Sequence, residues 1–237
     1  MNRVLTPEIL DGLETNDPLA LASRRDLRRV NAVMQNVRWM SRLAKQQLDL
    51  TRPLRILDLG AGDGTFLLKL VGTFPKPENR SNAWLLDRRS AATRETLGQY
   101  RAMGWEAEMI VAEALDWLGN RRGPVLDLIV ANLFLHHLSD APLRKLLESI
   151  SMNANAFLAC EPRRSRLALA ACRLLWLIGC NAVTRHDALV SVKAGFSGGE
   201  ISALWPQSND WHTTETRMGL FSHCFVAKRR GESAGRG

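Results

Sequence analysis

The sequence has 237 residues, of which 46% are hydrophobic and 24% are charged. This length and balance favour one large α/β domain with a full core and disfavour a disordered chain. The net charge of +8 would suit an acidic partner. The arginines are scattered rather than interleaved with aromatic residues, so a nucleic-acid surface is not expected.

The four cysteines stand alone without a Cys/His cluster of zinc spacing, and no metal site is predicted.

The cysteines and the first residues both bear on location. Cys160, Cys172 and Cys180 lie in apolar runs, where a thiol behaves as a small hydrophobe, and this fits a reducing compartment. The first residues lack the apolar run of a signal peptide. We therefore expect a cytoplasmic protein. The most apolar stretch, 167–183, is marginal in length for a membrane span and contains Arg173.

Residues 1–50 are predicted to form an N-terminal helical cap. Asp17 followed by Pro18 favours a helix start. The apolar residues that follow recur at three- and four-residue steps on one helix face: Leu27, Val30, Met34, Val37 and Met40. This spacing indicates a single amphipathic helix.

Residues 51–230 are predicted to form the main domain, in which short apolar runs alternate with helical runs. Strands are expected at 54–59, 83–86, 106–111, 126–131 and 156–160, and helices at 65–73, 93–103 and 140–150. This alternation favours a parallel sheet with helices on both faces.

The end of the chain departs from that alternation. An insertion at about 163–197 begins with an apolar helix over 166–178, and a short helix is expected at 198–205. The runs 212–218 and 221–228 predict an antiparallel hairpin at the sheet edge. Residues from 228 onwards are expected to fray, with 231–237 as a flexible tail.

Three glycines separate the first predicted strand from the first helix of the domain. Such a loop lets a ligand approach the backbone and presents it with free N–H groups. A dinucleotide fingerprint would have its last glycine where Thr65 stands. Asp58 and Asp63 flank the loop; carboxylates there would repel a pyrophosphate but attract a ligand with an ammonium and a sulfonium. The predicted cofactor-binding residues of this segment are Asp58, Gly60, Ala61, Gly62 and Gly64.

Further polar positions follow the next predicted strands. Asp87 ends the second strand, where a carboxylate can accept hydrogen bonds from both ribose hydroxyls, and Arg88 beside it is assigned to the same site. Glu113 and Ala114 follow the third strand. The acid there either meets an adenine amino group or serves as the N-terminal carboxylate of a helix. Asn132, at the end of the fourth strand, completes the predicted site.

These segments resemble the class I S-adenosylmethionine-dependent methyltransferases. The resemblance implies a Rossmann-like, doubly wound sheet of seven strands in the order 3-2-1-4-5-7-6, with the seventh antiparallel. It also implies S-adenosylmethionine as the cofactor, with Asp58 near its methionine amine and Asp87 on its ribose. Shorter patterns at 25–31, 133–140 and 185–196 are similar to the branch of quinone-ring methylases and bacterial phenol and polyketide methyltransferases. Asn132 lacks the following Pro-Pro-aromatic sequence typical of methylases that act on amino groups of bases.

Two histidines follow the fourth strand, beside the expected position of the methyl group. His136 or His137 could act as general base toward a hydroxyl acceptor. Because neighbouring side chains diverge on a short helix, at most one should face the acceptor, and His137 is favoured. His186 and Asp187, expected on a loop after the inserted helix, form a second candidate pair. For His136 and His137 the alternative is packing or bonding to the backbone, and for His186 and Asp187 it is a polar pair on a loop with no catalytic task.

The inserted helix is rich in leucine and also contains Trp176. Core packing is one interpretation of this run. The other is a lid over a lipophilic substrate that touches a membrane surface, with Arg163, Arg164 and Arg166 nearby.

The sequence therefore predicts a methyltransferase for a lipophilic small molecule. The favoured acceptor is a hydroxyl, or less readily a ring carbon, of an aromatic, quinone-like or polyketide compound. An RNA or protein methyltransferase is supported only by the basic charge. A nicotinamide-dependent oxidoreductase is disfavoured by Thr65 and the acids at the loop. A non-catalytic module that retains the cofactor fold is a further alternative.

Overall fold

A computed structural model describes residues 1–14 and 17–230, and a seven-stranded sheet forms its centre. The strands are β1 (Arg55–Leu59), β2 (Ser81–Asp87), β3 (Trp105–Val111), β4 (Leu128–Asn132), β5 (Ala156–Pro162), β6 (Trp211–Met218) and β7 (Ser222–Arg229). Their order is β3-β2-β1-β4-β5-β7-β6. The first five strands are parallel, and β7 pairs antiparallel with β5 and β6. The predicted order and the antiparallel seventh strand are confirmed.

The helices cover both faces of this sheet. They are α1 (Ile9–Gly12), α2 (Pro18–Met34), α3 (Asn36–Gln47), α4 (Thr65–Val71), α5 (Arg94–Ala102), α6 (Ala114–Asn120), α7 (Asp140–Asn153), α8 (Arg166–Cys172), α9 (Ala182–Ala194) and α10 (Glu200–Leu204). The described part of the chain also contains two 3₁₀ turns, Leu135–His137 and Leu175–Ile178.

The sheet separates two hydrophobic cores, as the alternation of side chains along a strand requires. In β1, Leu57 and Leu59 are buried in one core while Ile56 is buried in the other. In β4, Ile129 likewise faces the first core and Leu128 the second. Strands that are buried on both faces read as continuous apolar runs, which explains why the sequence identified them.

The predicted single helix of the N-terminal cap is divided into two helices, α2 and α3, and the short helix α1 precedes them. The start is as expected, because the Asp17 side chain accepts a hydrogen bond from Leu19 N at 2.7 Å and Pro18 is the first helical residue. Gln35 then adopts a left-handed conformation with φ of 57° and divides α2 from α3. The apolar stripe continues across the break, so periodicity alone could not reveal it.

The insertion also differs from its prediction. The run 166–178 is not one helix, since α8 ends at Cys172 and a 3₁₀ turn follows. His186 and Asp187 lie within α9 and not on a loop. At the end of the chain, β7 extends to Arg229, so the prediction of fraying from residue 228 is wrong. The tail predicted at 231–237 lies outside the described residues.

Residues 1–14 form a segment that crosses the carboxyl end of the sheet. Val4 N donates to Lys193 O at 3.1 Å. The Arg3 guanidinium donates to the carbonyl oxygens of Leu138 at 2.7 Å and Ala194 at 2.8 Å. These bonds fix the segment to α9 and to the turn after β4. Within residues 1–14 and 17–230, none of the helices combines the length and hydropathy of a transmembrane span.

Candidate active site

The glycine loop after β1 is bonded to the end of β2. Gly60 N and Ala61 N both donate to Leu86 O, at 2.9 and 3.1 Å, and Gly62 N donates to Asp87 Oδ2 at 2.9 Å. Gly60, Gly62 and Gly64 have φ values of +71°, +55° and +74°, a region that L side chains occupy only with strain. A Cβ on Gly60 would also lie 2.5 Å from Phe134 Cδ2. The loop therefore depends on glycine at these positions.

Asp58 is an unpaired carboxylate beneath this loop. The residue is 2% exposed, and its Oδ2 has no hydrogen-bond partner among the described residues. Burial, followed by the like charges of Asp87 and Asp63, raises the pKa of Asp58 well above its usual value. An isolated buried carboxylate is costly, so this site favours a ligand that brings positive charge.

The other two acids near the loop are already bonded. Asp63 Oδ1 accepts from Thr65 N at 3.0 Å, and its Oδ2 pairs with Arg28 at 3.0 Å. Asp87 accepts from Gly62 N and, through Oδ1, from Arg89 N at 3.0 Å. Asp87 thus holds the loop in place while its carboxylate lines the cavity.

The predicted residues after β3 lie at the periphery. Asp87 and Arg88 are among the described residues that line the cavity, whereas Glu113 and Ala114 are not. The Glu113 side chain is 61% exposed, and its Oε1 lies 3.9 Å from Nη1 of Arg88. Its contact with an adenine ring stays a prediction.

Asn132 joins the end of β4 to the N-terminal cap. Its Oδ1 accepts from Asn36 Nδ2 at 2.8 Å, and its Nδ2 donates to Asn31 Oδ1 at 3.0 Å. Ser222 Oγ donates to Asn36 Oδ1 at 2.7 Å and extends the network to β7. Asn132 lines the cavity and also fixes the cap above it.

The turn after β4 is organised by a buried acid that sequence reasoning missed. Glu161, at the end of β5, is fully buried. Its Oε1 accepts from the backbone N–H groups of Phe134 at 3.0 Å and Leu135 at 2.9 Å. Leu133, just before, has a left-handed φ of 55°, an uncommon conformation that is typical of functional sites. The sequence did contain a signal for Glu161, namely an acidic residue near the end of the apolar strand β5, which pairs with β4.

The two histidines of this turn have opposite environments. His136 Nδ1 lies 2.7 Å from Glu161 Oε2, and its Nε2 lies 3.4 Å from Glu8 Oε1. Burial lowers the pKa of His136, but the contacts with Glu161 and Glu8 outweigh it and raise the pKa to about 9. Burial and then the charge of His136 lower the pKa of His137. His137 Nδ1 lies 3.5 Å from Asp11 Oδ2.

Asp187 has a clear structural task. Its carboxylate accepts from Ile9 N and Leu10 N, both at 2.9 Å, and so caps the start of α1. His186 Nδ1 lies 3.0 Å from the same carboxylate, and the His186 side chain is half exposed. Asp187 thereby fastens the N-terminal segment to α9, which the sequence could not indicate because the partners are far apart along the chain.

One cavity of about 550 Å³ connects these features. Its charged end is lined by the glycine loop with Asp58 and Asp87, and its wall by Glu8, His136 and His137. The other end is apolar and is formed by the insertion, whose lining residues include Ala168, Cys172, Leu174, Leu175, Leu177 and Ile178. The volume and the mixture of apolar wall with few polar groups are typical of small-molecule sites.

No family model and no curated protein matches this sequence, but solved structures do. The plantazolicin methyltransferase BamL, in complex with a triazolic desmethylPZN analog and SAH, is 12% identical with a TM-score of 0.60 over 89% of this chain and 91% of its own. The magnesium protoporphyrin IX methyltransferase ChlM from Synechocystis PCC 6803, with bound SAH, is 15% identical with a TM-score of 0.55 over 87% and 86%.

Other matches are longer proteins. An O-methyltransferase family protein from Burkholderia thailandensis is 18% identical with a TM-score of 0.56; the match covers 93% of this chain and 64% of that one. This chain spans 56% of a matching chain from Nostoc punctiforme. At these identities the comparisons establish architecture: the chain has the Rossmann-like fold of the class I methyltransferases.

Proposed function

We propose that this protein is an S-adenosylmethionine-dependent methyltransferase that methylates a hydroxyl group of an aromatic, quinone-like or polyketide small molecule. The observation that carries the proposal is the buried, unpaired Asp58 carboxylate below a glycine loop. A dinucleotide would bring phosphates to this acid, whereas S-adenosylmethionine brings an ammonium and a sulfonium. The chemistry of the site fits the second ligand.

The residues of the charged end suit the parts of that cofactor. Asp58 would accept from the methionine ammonium, and the glycines would allow the ligand close to the backbone. Asp87, at the end of β2, would accept from the ribose hydroxyls. When bound, S-adenosylmethionine supplies an electrophilic methyl group on sulfur. The protein's part is to hold the acceptor oxygen in line with that methyl group and to exclude water.

The apolar end of the cavity supports a lipophilic acceptor. Its lining includes residues of α8 and of the 3₁₀ turn Leu175–Ile178, and the same cavity is lined by His136 and His137. A flat aromatic molecule placed there would have its hydroxyl beside the histidines. Two of the solved structures of this fold are a magnesium protoporphyrin IX methyltransferase and a mitomycin 7-O-methyltransferase, which supports a small-molecule acceptor for this chain as well.

A peripheral membrane contact at the cavity mouth is part of the same proposal. The Leu174, Trp176 and Leu177 side chains are more than half exposed, and Arg166 and Arg173 are exposed beside them. Arg164, by contrast, is buried and bonds to Glu200 and Gly195 O, so it is removed from the predicted basic group.

Isothermal calorimetry with S-adenosylmethionine tests the proposal. We expect measurable binding to the wild type and a strong loss in Asp58→Asn and Asp87→Ala. Asp116→Asn is the matched control, since this exposed acid lies on α6 outside the cavity. Equal affinity in the wild type and Asp58→Asn, or tighter binding of a nicotinamide dinucleotide, would refute it.

A further inference from the structure

Glu8, His136 and His137, which line the cavity, form a cluster of possible ligand atoms. One oxygen of Glu8, one nitrogen of His136 and one nitrogen of His137 lie within 4.8 Å of one another. The imidazole rings stand side by side, with centroids 4.2 Å apart and planes tilted by 33°. Glu8 precedes α1, the two histidines lie in the turn after β4, and Glu161, which contacts His136, lies in β5. Because these segments are far apart in sequence, the spacing of residues predicted no metal site.

The hydrogen bonding of His136 leaves a lone pair directed at an acid. Its Nδ1 is 2.7 Å from Glu161 Oε2, so with Glu161 ionised the ring carries its proton there. In the neutral ring, which is the form that binds a metal ion, Nε2 is then the nitrogen with the free lone pair. That atom is buried, lacks a hydrogen bond among the described residues, and lies 3.4 Å from Glu8 Oε1. The carboxylates on both sides of the ring favour a positive charge there, either a second proton on the imidazole or a metal ion on Nε2.

A proton or a metal ion could supply that charge, and the surroundings favour the ion. A proton on Nε2 would satisfy only His136 and Glu8, while the nitrogen of His137 would gain nothing from it. An ion would satisfy all three groups. Metal-bound histidines almost always have a carboxylate or carbonyl on their other nitrogen. Glu161 has that position on His136, and Asp11 lies 3.5 Å from His137 Nδ1.

We propose that Glu8, His136 and His137 bind a divalent transition-metal ion of the zinc type, with Glu161 and Asp11 as its outer carboxylates. Two imidazoles and one carboxylate are the ligand set of catalytic zinc and related sites, which keep an open coordination position. Hard cations such as magnesium prefer oxygen ligands and would be disfavoured. All three ligands line the cavity, so the open position faces bound molecules.

The ion gives the cluster a role in methyl transfer, and this step rests on the proposed function. An acceptor hydroxyl that binds the ion becomes more acidic and loses its proton to solvent water. Its oxygen then forms the bond to the methyl carbon, while the carbon–sulfur bond breaks and its electron pair remains on sulfur. The favoured acceptor is therefore a phenol or enol, whose oxygen is an anionic ligand for the ion.

Cobalt titration of chelator-treated protein tests the site without any turnover. We expect the wild type to bind a single Co²⁺ with visible absorption bands of low-symmetry nitrogen and oxygen ligation. Glu8→Gln and His137→Ala should bind it more than about tenfold more weakly. His212→Ala and Glu148→Gln, both exposed and outside the cavity, are the matched controls. Thermal unfolding of each variant would verify that it is folded.

Two results would overturn the metal site: no stoichiometric Co²⁺ binding by the wild type, or bands that Glu8→Gln and His137→Ala leave unchanged. The same samples are titrated with S-adenosylmethionine in the absence of metal. Retained cofactor binding with no cobalt site would reject the metal alone, whereas loss of cofactor binding in the wild type would reject the proposed function. As a second readout, 4-nitrophenol should show its phenolate band in the cobalt-loaded wild type below its solution pKa, and not in Glu8→Gln.

Discussion

Substitution of Gly62 by alanine separates the conformational role of the glycine loop from its role in binding. Gly62 has φ of +55°, and a Cβ there would meet no protein atom within 4 Å. The cost to folding is therefore the left-handed strain alone, about 1–2 kcal/mol. For a chain of this size that corresponds to a melting temperature about 2–8 °C lower. The added methyl group lies in the lining of the cavity, so we expect affinity for S-adenosylmethionine to fall by at least about tenfold, or 1.4 kcal/mol.

Gly198→Ala is the matched control for this experiment. Gly198 has φ of +65°, a Cβ there would likewise meet nothing within 4 Å, and the residue lies outside the cavity lining. Differential scanning calorimetry should show similar losses of stability in the two variants, and binding calorimetry should show a loss of affinity in Gly62→Ala only. Gly60→Ala should be less stable than both, because its Cβ would lie 2.5 Å from Phe134. Unchanged affinity in Gly62→Ala, or an equal loss in Gly198→Ala, would refute the reasoning.

Three further predictions concern other parts of the site. The raised pKa of Asp58 stabilises the fold below the unfolded pKa and loses that contribution as pH rises through the folded pKa. Asp58→Asn should therefore have a higher melting temperature than the ligand-free wild type at about pH 8, and the difference in melting temperature should be smaller near pH 4. A difference that grows on acidification would contradict this. Asp187→Ala should speed amide exchange at Ile9 and Leu10, measured by mass spectrometry, relative to His186→Ala; equal protection in both would contradict it. Trp176→Ser should reduce co-sedimentation with anionic vesicles, and wild-type protein that stays in the supernatant would remove the membrane contact.

The sequence predicted the elements whose signals are local. Buried parallel strands give continuous apolar runs, and the glycine loop needs residues that tolerate positive φ, so both could be recognised from short segments. Gln35, which divides α2 from α3, has no comparable signal, because a left-handed glutamine is imposed by the packing around it. The same holds for Leu133.

The wall of the cavity was the part least accessible to prediction. His136 and His137 were identified from their position after β4, but their difference in environment comes from Glu161 on β5 and Glu8 before α1. Side-chain contacts between residues so distant in sequence depend on the completed tertiary structure. The structural role of Asp187 was hidden for the same reason, because its partners Ile9 and Leu10 could not be identified from periodicity.

The way the N-terminal segment is fastened has a consequence for how the protein is made. Glu8 leaves the ribosome before any strand of the sheet, yet the groups that hold its segment, Asp187 and the α9 carbonyl oxygens, are synthesised only after β5. A domain generally folds as a unit, so the segment that carries Glu8 stays without its partners until α9 has been synthesised. The acceptor side of the cavity can therefore be completed only after α9 has left the ribosome.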